Sequence, residues 1–348
     1  YRFKGFLCHR KLRPMTHEYC DNEWKRQEAQ CMGQVNLRKV AMIGCGYVGS
    51  AAAFALMQNR LFAEIVLIDV DQEKAEGEAM DIGHGIPLVG NMKIYAGSYD
   101  DITDAAIIVI TAGAGQKPGE TRLDLVHRNV SIYKKIIPEI TKRNCQGILL
   151  VVSNPVDILT YVTVKLSGFP ENRVIGSGTV LDTARLKYQV GEHLAVDSKS
   201  VHAFIIGEHG DSEIAVWSSA NISGVPLDDF CEMRGQWNHD KIQENIAETV
   251  KRSAYEIIER KQATYYGVAM TIKRICEVII RDEKSILPVS TMMHGEFGID
   301  DVALSMPSIV GADGFEVRVP ISLNEEEHEK LIQSARTLKG ILRQCNIS

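Results

Sequence analysis

The sequence predicts an α/β protein in which a doubly wound parallel sheet is followed by an α+β domain. Up to about residue 176, short apolar runs alternate with segments of helical periodicity, and beyond it this alternation stops. A chain of 348 residues is also longer than one hydrophobic core usually supports, so two domains are expected. We place the first domain at residues 38–176 and the second at residues 177–348.

Five strand-like runs make up the first half, and their apolar, β-branched composition is typical of parallel strands that are covered on both faces. They span residues 39–43, 65–69, 93–96, 107–110 and 148–152. The segments between them have helical periodicity, most clearly at 71–82 and 122–143. This is the alternation of an open doubly wound sheet.

The second half has its elements in a different order. Helices are predicted at residues 181–193, 242–260, 268–281 and 324–345, and strands at 201–206, 285–293 and 314–320. The last two strands are expected to belong to a mixed or antiparallel sheet. Such an order is typical of an α+β domain.

Composition and charge exclude several function classes. The net charge is −6 and the pI is near 6.0, whereas nucleic-acid binding needs a basic face, so no nucleic-acid partner is expected. No run of about 18 apolar residues occurs, so no membrane span is expected. The apolar fraction of 45% and the charged fraction of 24% are ordinary for a globular protein.

The eight cysteines lie apart and form no C-x-x-C pair, which argues against zinc and thioredoxin-type sites, and no metal is expected. Scattered cysteines without a secretion signal are typical of reduced thiols, which favours a cytoplasmic location. Residues 1–31 carry no acid before Glu18 and lack the apolar stretch of a secretory signal. They also contain no serine, which weakens the alternative of a mitochondrial transit peptide, and we expect a poorly ordered extension.

A glycine turn follows the first strand directly. Gly44, Gly46 and Gly49 form the pattern G-x-G-x-x-G before a helix-favouring run, and Asp69 ends the next strand 20 residues after Gly49. The glycines permit a tight turn, close approach to a pyrophosphate and packing of the helix on the strand. The acid can accept from a ribose 2′-hydroxyl, so a Rossmann site that prefers NAD to NADP is predicted. The alternative is a glycine-rich turn in an unrelated α/β protein.

Two further segments follow strand ends, where ligands bind in parallel sheets. Residues 111–122, TAGAGQKPGETR, suit a mobile lid because glycine permits hinging, although a plain surface loop has the same composition. Asn154 lies in the segment VSNPVD. It is suited either to binding a substrate hydroxyl or the nicotinamide amide, or to capping a helix.

The second half contributes two more segments. Asp182 and Arg185, in LDTAR, share one face of a helix, either as part of a site or as an ion pair on a solvated face. His209, in GEHGD, leaves a strand between two glycines, which permit close approach of another molecule. Such a histidine is either a structural residue or an acid–base group.

In this order the segments GCGYVGS, AGAGQKPGETR, VSNPVD, LDTAR and GEHGD resemble the L-lactate/malate dehydrogenase family, most closely its bacterial L-lactate dehydrogenases. The resemblance runs from about Lys39 to the C-terminus. It implies that His209 exchanges a proton with the substrate and that Asp182 orients the imidazole. It further implies that Arg185 binds the substrate carboxylate bidentately and that Arg122 polarises the carbonyl group.

The same resemblance implies the other contacts and the assembly. Substrate contacts are implied for Gln116, Arg122, Asn154, Arg185 and Thr264. NAD contacts are implied for Gly44, Gly46, Tyr47, Val48, Gly49, Asp69, Thr111, Ala112, Asn129, Val152, Ser153 and Asn154. The implied assembly is a homotetramer.

Position 116 faces the variable end of the substrate in this family, and malate enzymes place an arginine there. Gln116 is neutral and therefore favours pyruvate, because the second carboxylate of oxaloacetate would be buried without a partner. Lys117 is adjacent and could reach the pocket, and Gly115 stands where many relatives have asparagine or arginine.

Many bacterial relatives bind fructose 1,6-bisphosphate between subunits through an arginine and a histidine. His202 matches the histidine, and Lys187 replaces the arginine with a point charge that lacks the bidentate fork. His202 is equally suited to packing in an interface as an ordinary strand residue.

The resemblance implies an allosteric enzyme of glycolysis and fermentation that transfers hydride reversibly between NADH and pyruvate, giving L-lactate. Two related alternatives are a dehydrogenase for bulkier L-2-hydroxy acids, such as 2-hydroxyisocaproate, and a malate dehydrogenase. An alternative from another class is a non-catalytic NAD-binding regulator on the same fold, since fold alone does not fix function.

Overall fold

The computed structural model describes residues 35–115, 119 and 121–347, so the extension predicted at residues 1–31 lies outside the described part. The first half contains β1 (Asn36–Ile43), α1 (Tyr47–Asn59), β2 (Glu64–Ile68), α2 (Gln72–His84), α3 (Ile86–Val89), β3 (Lys93–Ala96), β4 (Ala105–Ile110), α4 (Arg122–Thr141), β5 (Ile148–Val151), α5 (Val156–Ser167) and β6 (Val174–Gly176). The second half contains α6 (Val180–Leu194), β7 (Val201–Ile206), β8 (Ile214–Ile222), β9 (Val225–Pro226), α7 (Leu227–Met233), α8 (His239–Lys261), α9 (Tyr266–Ile280), β10 (Ser285–His294), β11 (Asp300–Gly311), β12 (Gly314–Arg318) and α10 (Glu325–Gln344).

The strands of the first half form a parallel sheet in the order β3-β2-β1-β4-β5-β6. The order reverses between β1 and β4, which is the switch point where doubly wound sheets bind their ligands. The predicted fold class is therefore confirmed, and the glycine turn after β1 lies at this switch point.

Helices cover both faces of the sheet, and β1 shows why its residues are apolar throughout. Ala41 and Ile43 belong to a core that α4, α5 and α10 complete, whereas Val40 and Met42 belong to the opposite core with α1, α2 and α9. Because side chains alternate between the two faces of a strand, both sets are buried. A third, smaller core lies between α6 and the sheet β7-β8-β9.

The second half is antiparallel at β10, β11 and β12, in agreement with the predicted strand type. These strands extend the large sheet, because Ser290 on β10 pairs with Gly176 on β6. Neither β8 nor β11 was predicted. In β11, Pro307 pairs directly with Pro288 of β10.

Among the described residues, no helix has both the length and the apolar character that crossing a membrane requires.

Candidate active site

The glycine turn joins β1 to α1 in the geometry that its sequence predicts. Gly44 has a φ of +101°, which only glycine adopts readily, and its N–H donates to the Ile68 carbonyl at the end of β2. A Cβ atom at Gly49 would overlap the Gly44 carbonyl oxygen, so glycine is required for α1 to lie this close to the strand. No side chain caps the N-terminus of α1, which leaves its first N–H groups available to an anion.

A cavity of about 600 Å³ opens beside this turn. The predicted cofactor residues in its wall are Gly44, Gly46, Asp69, Thr111 and Ala112. Its volume and its position at the uncapped helix end fit the nucleotide part of NAD. Thus five of the predicted cofactor residues surround one space.

Asp69 is held at the rim of this cavity by the backbone. Its carboxylate accepts from the Cys45 N–H at 2.6 Å and from the Asp71 N–H at 3.0 Å. A carboxylate at the end of the second strand is the group that binds ribose hydroxyls in such sheets. Its position therefore suits the predicted preference for NAD.

The loop after β4 is tied to the glycine turn and to the loop after β5. The Thr111 hydroxyl donates to the Gly44 carbonyl at 2.8 Å, and the Ser153 hydroxyl donates to the Ala112 carbonyl at 2.7 Å. These bonds fix the first residues of the predicted lid. Gln116 and Lys117 lie outside the described residues, so the substrate-facing position of the lid remains a prediction.

Asn129 on α4 is almost completely buried and holds the base of the same loop. Its side chain accepts from the Ala114 N–H at 2.8 Å and donates to the carbonyl oxygens of Ala114 at 3.1 Å and Asn154 at 2.7 Å. These bonds use its donors and its acceptor, so in this structure Asn129 positions the cofactor-side loops from behind.

His209 and Asp182 form the centre of the candidate site. The imidazole Nδ1 and the carboxylate Oδ2 are 2.5 Å apart, and the side chains are 22% and 3% exposed. Burial lowers the pKa of His209, but the Asp182 carboxylate opposes this and the pKa is raised to about 9. The pKa of Asp182 lies below its ordinary value because of the two cations beside it, although burial acts the other way. The pair therefore favours a protonated imidazole at neutral pH.

Arg185 is the second cation on Asp182, with its guanidinium nitrogen 2.9 Å from Oδ1. The two residues do form the intrahelical ion pair, but the side chain of Arg185 is only 15% exposed, so the pair does not lie on a solvated helix face. The Asp182 carboxylate thus orients both the imidazole of His209 and the guanidinium of Arg185. The planar guanidinium has the geometry to bind a substrate carboxylate bidentately.

Arg122 is the first residue of α4, and the capping box of Thr121 and Asp124 fixes that helix start. Its guanidinium pairs with Glu208, the neighbour of His209 in the chain, and with Asp211 at 3.2 Å. These pairs hold Arg122 against the same turn that carries the imidazole. The predicted carbonyl-polarising group is therefore brought to the His209 segment.

The structure adds buried acids that the sequence analysis missed. Asp157 accepts from the backbone N–H of His209 at 2.8 Å and from the Ser290 hydroxyl at 2.6 Å. Burial raises the pKa of Asp157 to about 6. Glu208 and Glu213, on either side of His209 in the chain, are also buried. Asp157 and Glu208 lay within the quoted motifs, but spacing alone does not show that a carboxylate is buried.

A small space of about 40 Å³ connects the two halves of the site. Its wall includes Val152 and Asn154 from the cofactor side and His209 from the acid–base side. Thr264 lies in the segment before α9 and is half-buried, but no hydrogen bond of the described residues joins its hydroxyl to the His209 group. Its predicted pocket contact remains a prediction.

Tyr47 and Val48 begin α1 at the same turn. The Tyr47 ring is largely exposed and stacks on Tyr265, with ring centroids 5.4 Å apart, while Val48 packs against the core under α1. Tyr265 directly follows Thr264 in the chain. The stacking therefore connects the cofactor turn to the segment that is predicted to contact substrate.

The two predicted effector residues lie on neighbouring elements. Lys187 is on α6, and burial lowers its pKa below the ordinary value, whereas His202 is an exposed residue of β7 that pairs with Asn221 of β8.

Potential metal-ligating atoms of Asp182, His209 and Glu213 lie within 4.8 Å of one another. Two of these atoms already form the imidazole–carboxylate bond.

Two family models match the chain in succession. Residues 38–176 match the NAD-binding domain of lactate/malate dehydrogenase, and residues 179–346 match the α/β C-terminal domain of the same enzymes. The chain belongs to the lactate/malate dehydrogenase family. The resemblance noted in the sequence is thus confirmed, as are the NAD cofactor and the assignment to the NAD-dependent oxidoreductases.

The chain is similar to several curated and structurally known members. It is 53% identical to an L-lactate dehydrogenase of Acetivibrio thermocellus over 311 residues, which covers 89% of this chain and 98% of the relative. It is 52% identical to L-lactate dehydrogenase 1 of Clostridium acetobutylicum over 304 residues, covering 87% and 97%.

Two crystal structures align over nearly the same length. One is the minor L-lactate dehydrogenase of Enterococcus mundtii with ligands bound, at a TM-score of 0.85 and 43% identity, covering 88% of this chain and 98% of that one. The other is a lactate dehydrogenase from a Medee basin deep-sea metagenome library, at 0.86 and 45%, covering 89% and 99%. The family fold therefore extends over the described chain.

Proposed function

We propose that the protein is an NAD-dependent L-lactate dehydrogenase, which reduces pyruvate reversibly to L-lactate. The observation that carries this proposal is the buried pair of His209 and Asp182, 2.5 Å apart, beside a space shared with the cofactor-side loops. The relatives at 53% and 52% identity bear the name L-lactate dehydrogenase over almost their whole length.

His209 acts as the proton donor in the reductive direction. With a pKa of about 9 it is protonated at neutral pH, so it can hydrogen-bond the carbonyl oxygen and then give it the proton. In the reverse direction the neutral imidazole accepts the proton of the 2-hydroxy acid. Asp182 keeps the ring oriented and stabilises its charged form.

The two arginines have separate tasks. Arg185 presents its guanidinium beside the imidazole and binds the substrate carboxylate, which fixes the carbonyl against His209. Arg122 stabilises the negative charge that develops on the carbonyl oxygen. NADH, when it is bound along the glycine turn, supplies the hydride. The protein residues therefore orient, polarise and protonate.

The first test is turnover of NADH with pyruvate, 2-oxoisocaproate and oxaloacetate. We expect kcat/KM to be highest for pyruvate. A preference for either of the other acids would replace the lactate assignment with a bulkier-acid or malate dehydrogenase. NADH binding without turnover of any of the three would favour a non-catalytic regulator.

His209→Gln tests whether His209 is the proton donor. We expect NADH affinity to stay nearly unchanged and turnover to fall by ~10²–10⁴-fold, the usual contribution of general acid–base catalysis. A loss below tenfold would show that another group delivers the proton.

Gln116→Arg tests the specificity position. In the parent, the second carboxylate of oxaloacetate would be buried beside a neutral amide. In the variant, this carboxylate gains a bidentate partner in the new guanidinium. Pyruvate has no second carboxylate, so it would leave the new guanidinium without a partner. A buried charge pair is worth ~2–5 kcal/mol, so the kcat/KM ratio should shift towards oxaloacetate by at least about thirtyfold. An unchanged ratio in a folded variant that binds NADH would mean that residue 116 does not face the substrate, and Lys117 would be tested next.

We further propose a homotetramer with an anion site at Lys187 and His202 for fructose 1,6-bisphosphate. The support is the family resemblance together with the exposure of His202 on β7. The effector should lower the KM for pyruvate. Sedimentation measures the assembly, and kinetics at low enzyme concentration with millimolar effector measure the activation. Absence of any response would end the effector proposal.

A further inference from the structure

Glu213 has no role in the mechanism above, yet it lies next to its central pair. It precedes β8, it is only 6% exposed, and its carboxylate oxygen Oε1 is buried without a hydrogen-bond partner in the described chain. A carboxylate oxygen of Glu213 lies within 4.8 Å of a carboxylate oxygen of Asp182 and of a ring nitrogen of His209. An ionised carboxylate in such a place would carry a large desolvation penalty.

Charges of both signs surround Glu213. Asp182 and Arg185 face it from α6, His209 from the turn after β7, and Lys251 from α8. Burial is the largest influence and raises the pKa of Glu213 to about 8, and Asp182 acts in the same direction, whereas the three cations oppose them.

Asp157 accepts from the backbone N–H of His209 and also favours the charged imidazole, and the charge of Glu208 raises the pKa of Asp157. Both carboxylates have donors of their own: Asp157 accepts from Ser290, and Glu208 accepts from Arg122 and Ser212. Of these acids around His209, Glu213 is thus the one with a buried oxygen that no donor reaches.

We propose that Glu213 is a positioning residue that remains a neutral carboxylic acid in the substrate-free enzyme, which keeps the pocket receptive to an anionic 2-oxo acid. The substrate part of this proposal rests on the proposed function, whereas the protonation of Glu213 does not.

The charge balance of the pocket explains the effect. Asp182 and Arg185 offset each other, as do Glu208 and Arg122. At neutral pH the Asp157 carboxylate and the Lys251 ammonium are also of opposite sign. A protonated His209 therefore leaves one net positive charge while Glu213 is neutral. The substrate carboxylate then completes a balanced site. If Glu213 were ionised, the empty pocket would be neutral and the complex would contain an unbalanced buried anion, which weakens binding.

Glu213 and His209 therefore titrate as a coupled pair as the pH rises. If the anion binds only when both groups carry a proton, its affinity should fall at alkaline pH, and each molecule bound there should take up two protons. In Glu213→Gln only the His209 proton remains, so the dependence should become one proton. That single step should occur at lower pH than the His209 step of the parent, since an ionised Glu213 raises the pKa of His209.

The binding test uses oxamate, which has the shape and charge of pyruvate but resists reduction. Its dissociation constant in the presence of saturating NADH is measured by quenching of NADH fluorescence from neutral to alkaline pH. We expect a limiting slope of two protons for the parent and one for Glu213→Gln. Glu213→Asp keeps a titratable acid and should restore the steeper slope. Glu192→Gln removes an exposed carboxylate of α6 and should behave as the parent.

A second measurement is independent of substrate and cofactor. The infrared difference spectrum between parent and Glu213→Gln, both free of ligand at neutral pH, should show the carbonyl stretch of a protonated carboxylic acid in the parent alone. The absence of this band overturns the proposal, as does an equal slope in parent and Glu213→Gln. A parent profile that changes with a chelator would mean that a cation balances Glu213, which also overturns it. If the band is present but no 2-oxo acid binds or reacts at any pH, the proposed function fails while the protonation of Glu213 holds.

Discussion

Asp182→Asn is the variant whose consequence can be worked out most directly from the structure. The substitution keeps the shape of the side chain and removes the charge 2.5 Å from the imidazole. Burial then acts on His209 with less opposition, so its pKa should fall from about 9 to the ordinary value of about 6.5 or below. At roughly 1.4 kcal/mol for each pKa unit, the carboxylate stabilises the protonated ring by about 3 to 4 kcal/mol.

The protonated fraction at pH 7 follows from these values. In the parent almost every imidazole carries the proton, whereas in Asp182→Asn at most about a quarter do. We expect kcat/KM for pyruvate reduction to stay level through neutral pH in the parent and to fall at alkaline pH, as Glu213 and then His209 lose their protons. In the variant the fall should begin near or below pH 6.5. The affinity for NADH should not change, since Asp182 is not in the wall of the large cavity.

Steady-state kinetics over a range of pH, with NADH affinity measured separately, provide the assay. Asp229→Asn removes an exposed carboxylate of α7 and should leave the pH profile in place. The reasoning is refuted if Asp182→Asn folds, binds NADH and retains the pH profile of the parent.

Three further outcomes are expected. Gly49→Ala should abolish NADH binding, because the new methyl group would overlap the Gly44 carbonyl; equilibrium dialysis that shows normal affinity would contradict this. Asp157→Asn should change the pH dependence of the melting temperature. The pKa of Asp157 in the folded protein, about 6, lies above its value in the unfolded chain. The protonated acid therefore contributes to the free energy of unfolding below about pH 4, and this contribution is lost as the pH rises through 6. Over that range Asp157→Asn should gain up to ~3 kcal/mol in the free energy of unfolding relative to the parent. Glu208→Gln removes the buried counter-charge of Arg122, a charge-assisted bond worth ~1.5–3 kcal/mol, so kcat/KM should fall about tenfold or more while NADH binding persists; unaltered kinetics would exclude a positioning role.

The features that the sequence predicts well are those with local causes. The positive φ of Gly44 and the close packing at Gly49 are requirements of single residues, and they identify the cofactor turn without any tertiary information. Strands of the parallel half are apolar on both faces, so composition alone reveals them.

Long-range contacts account for what the sequence does not reveal. Asp157 is 52 residues from His209 and 133 residues from Ser290, and the fold alone brings them together. Whether Glu213 is buried depends likewise on α6 and α8, which lie on either side of it in the chain. Strand β11 was missed as well, and its place in the sheet is fixed by pairing with β10 and β12.

The junction at Gly176 has a consequence for how such enzymes diversify. A Cβ atom there would overlap the Thr160 hydroxyl and come within 2.8 Å of the Ser290 Cβ, so the seam where β6 of the first half meets β10 of the second is tightly packed. Recombination that exchanges one half for that of a distant relative must therefore preserve both sides of this seam. Substrate preference is more easily altered by point changes in loops than by shuffling the halves as separate modules.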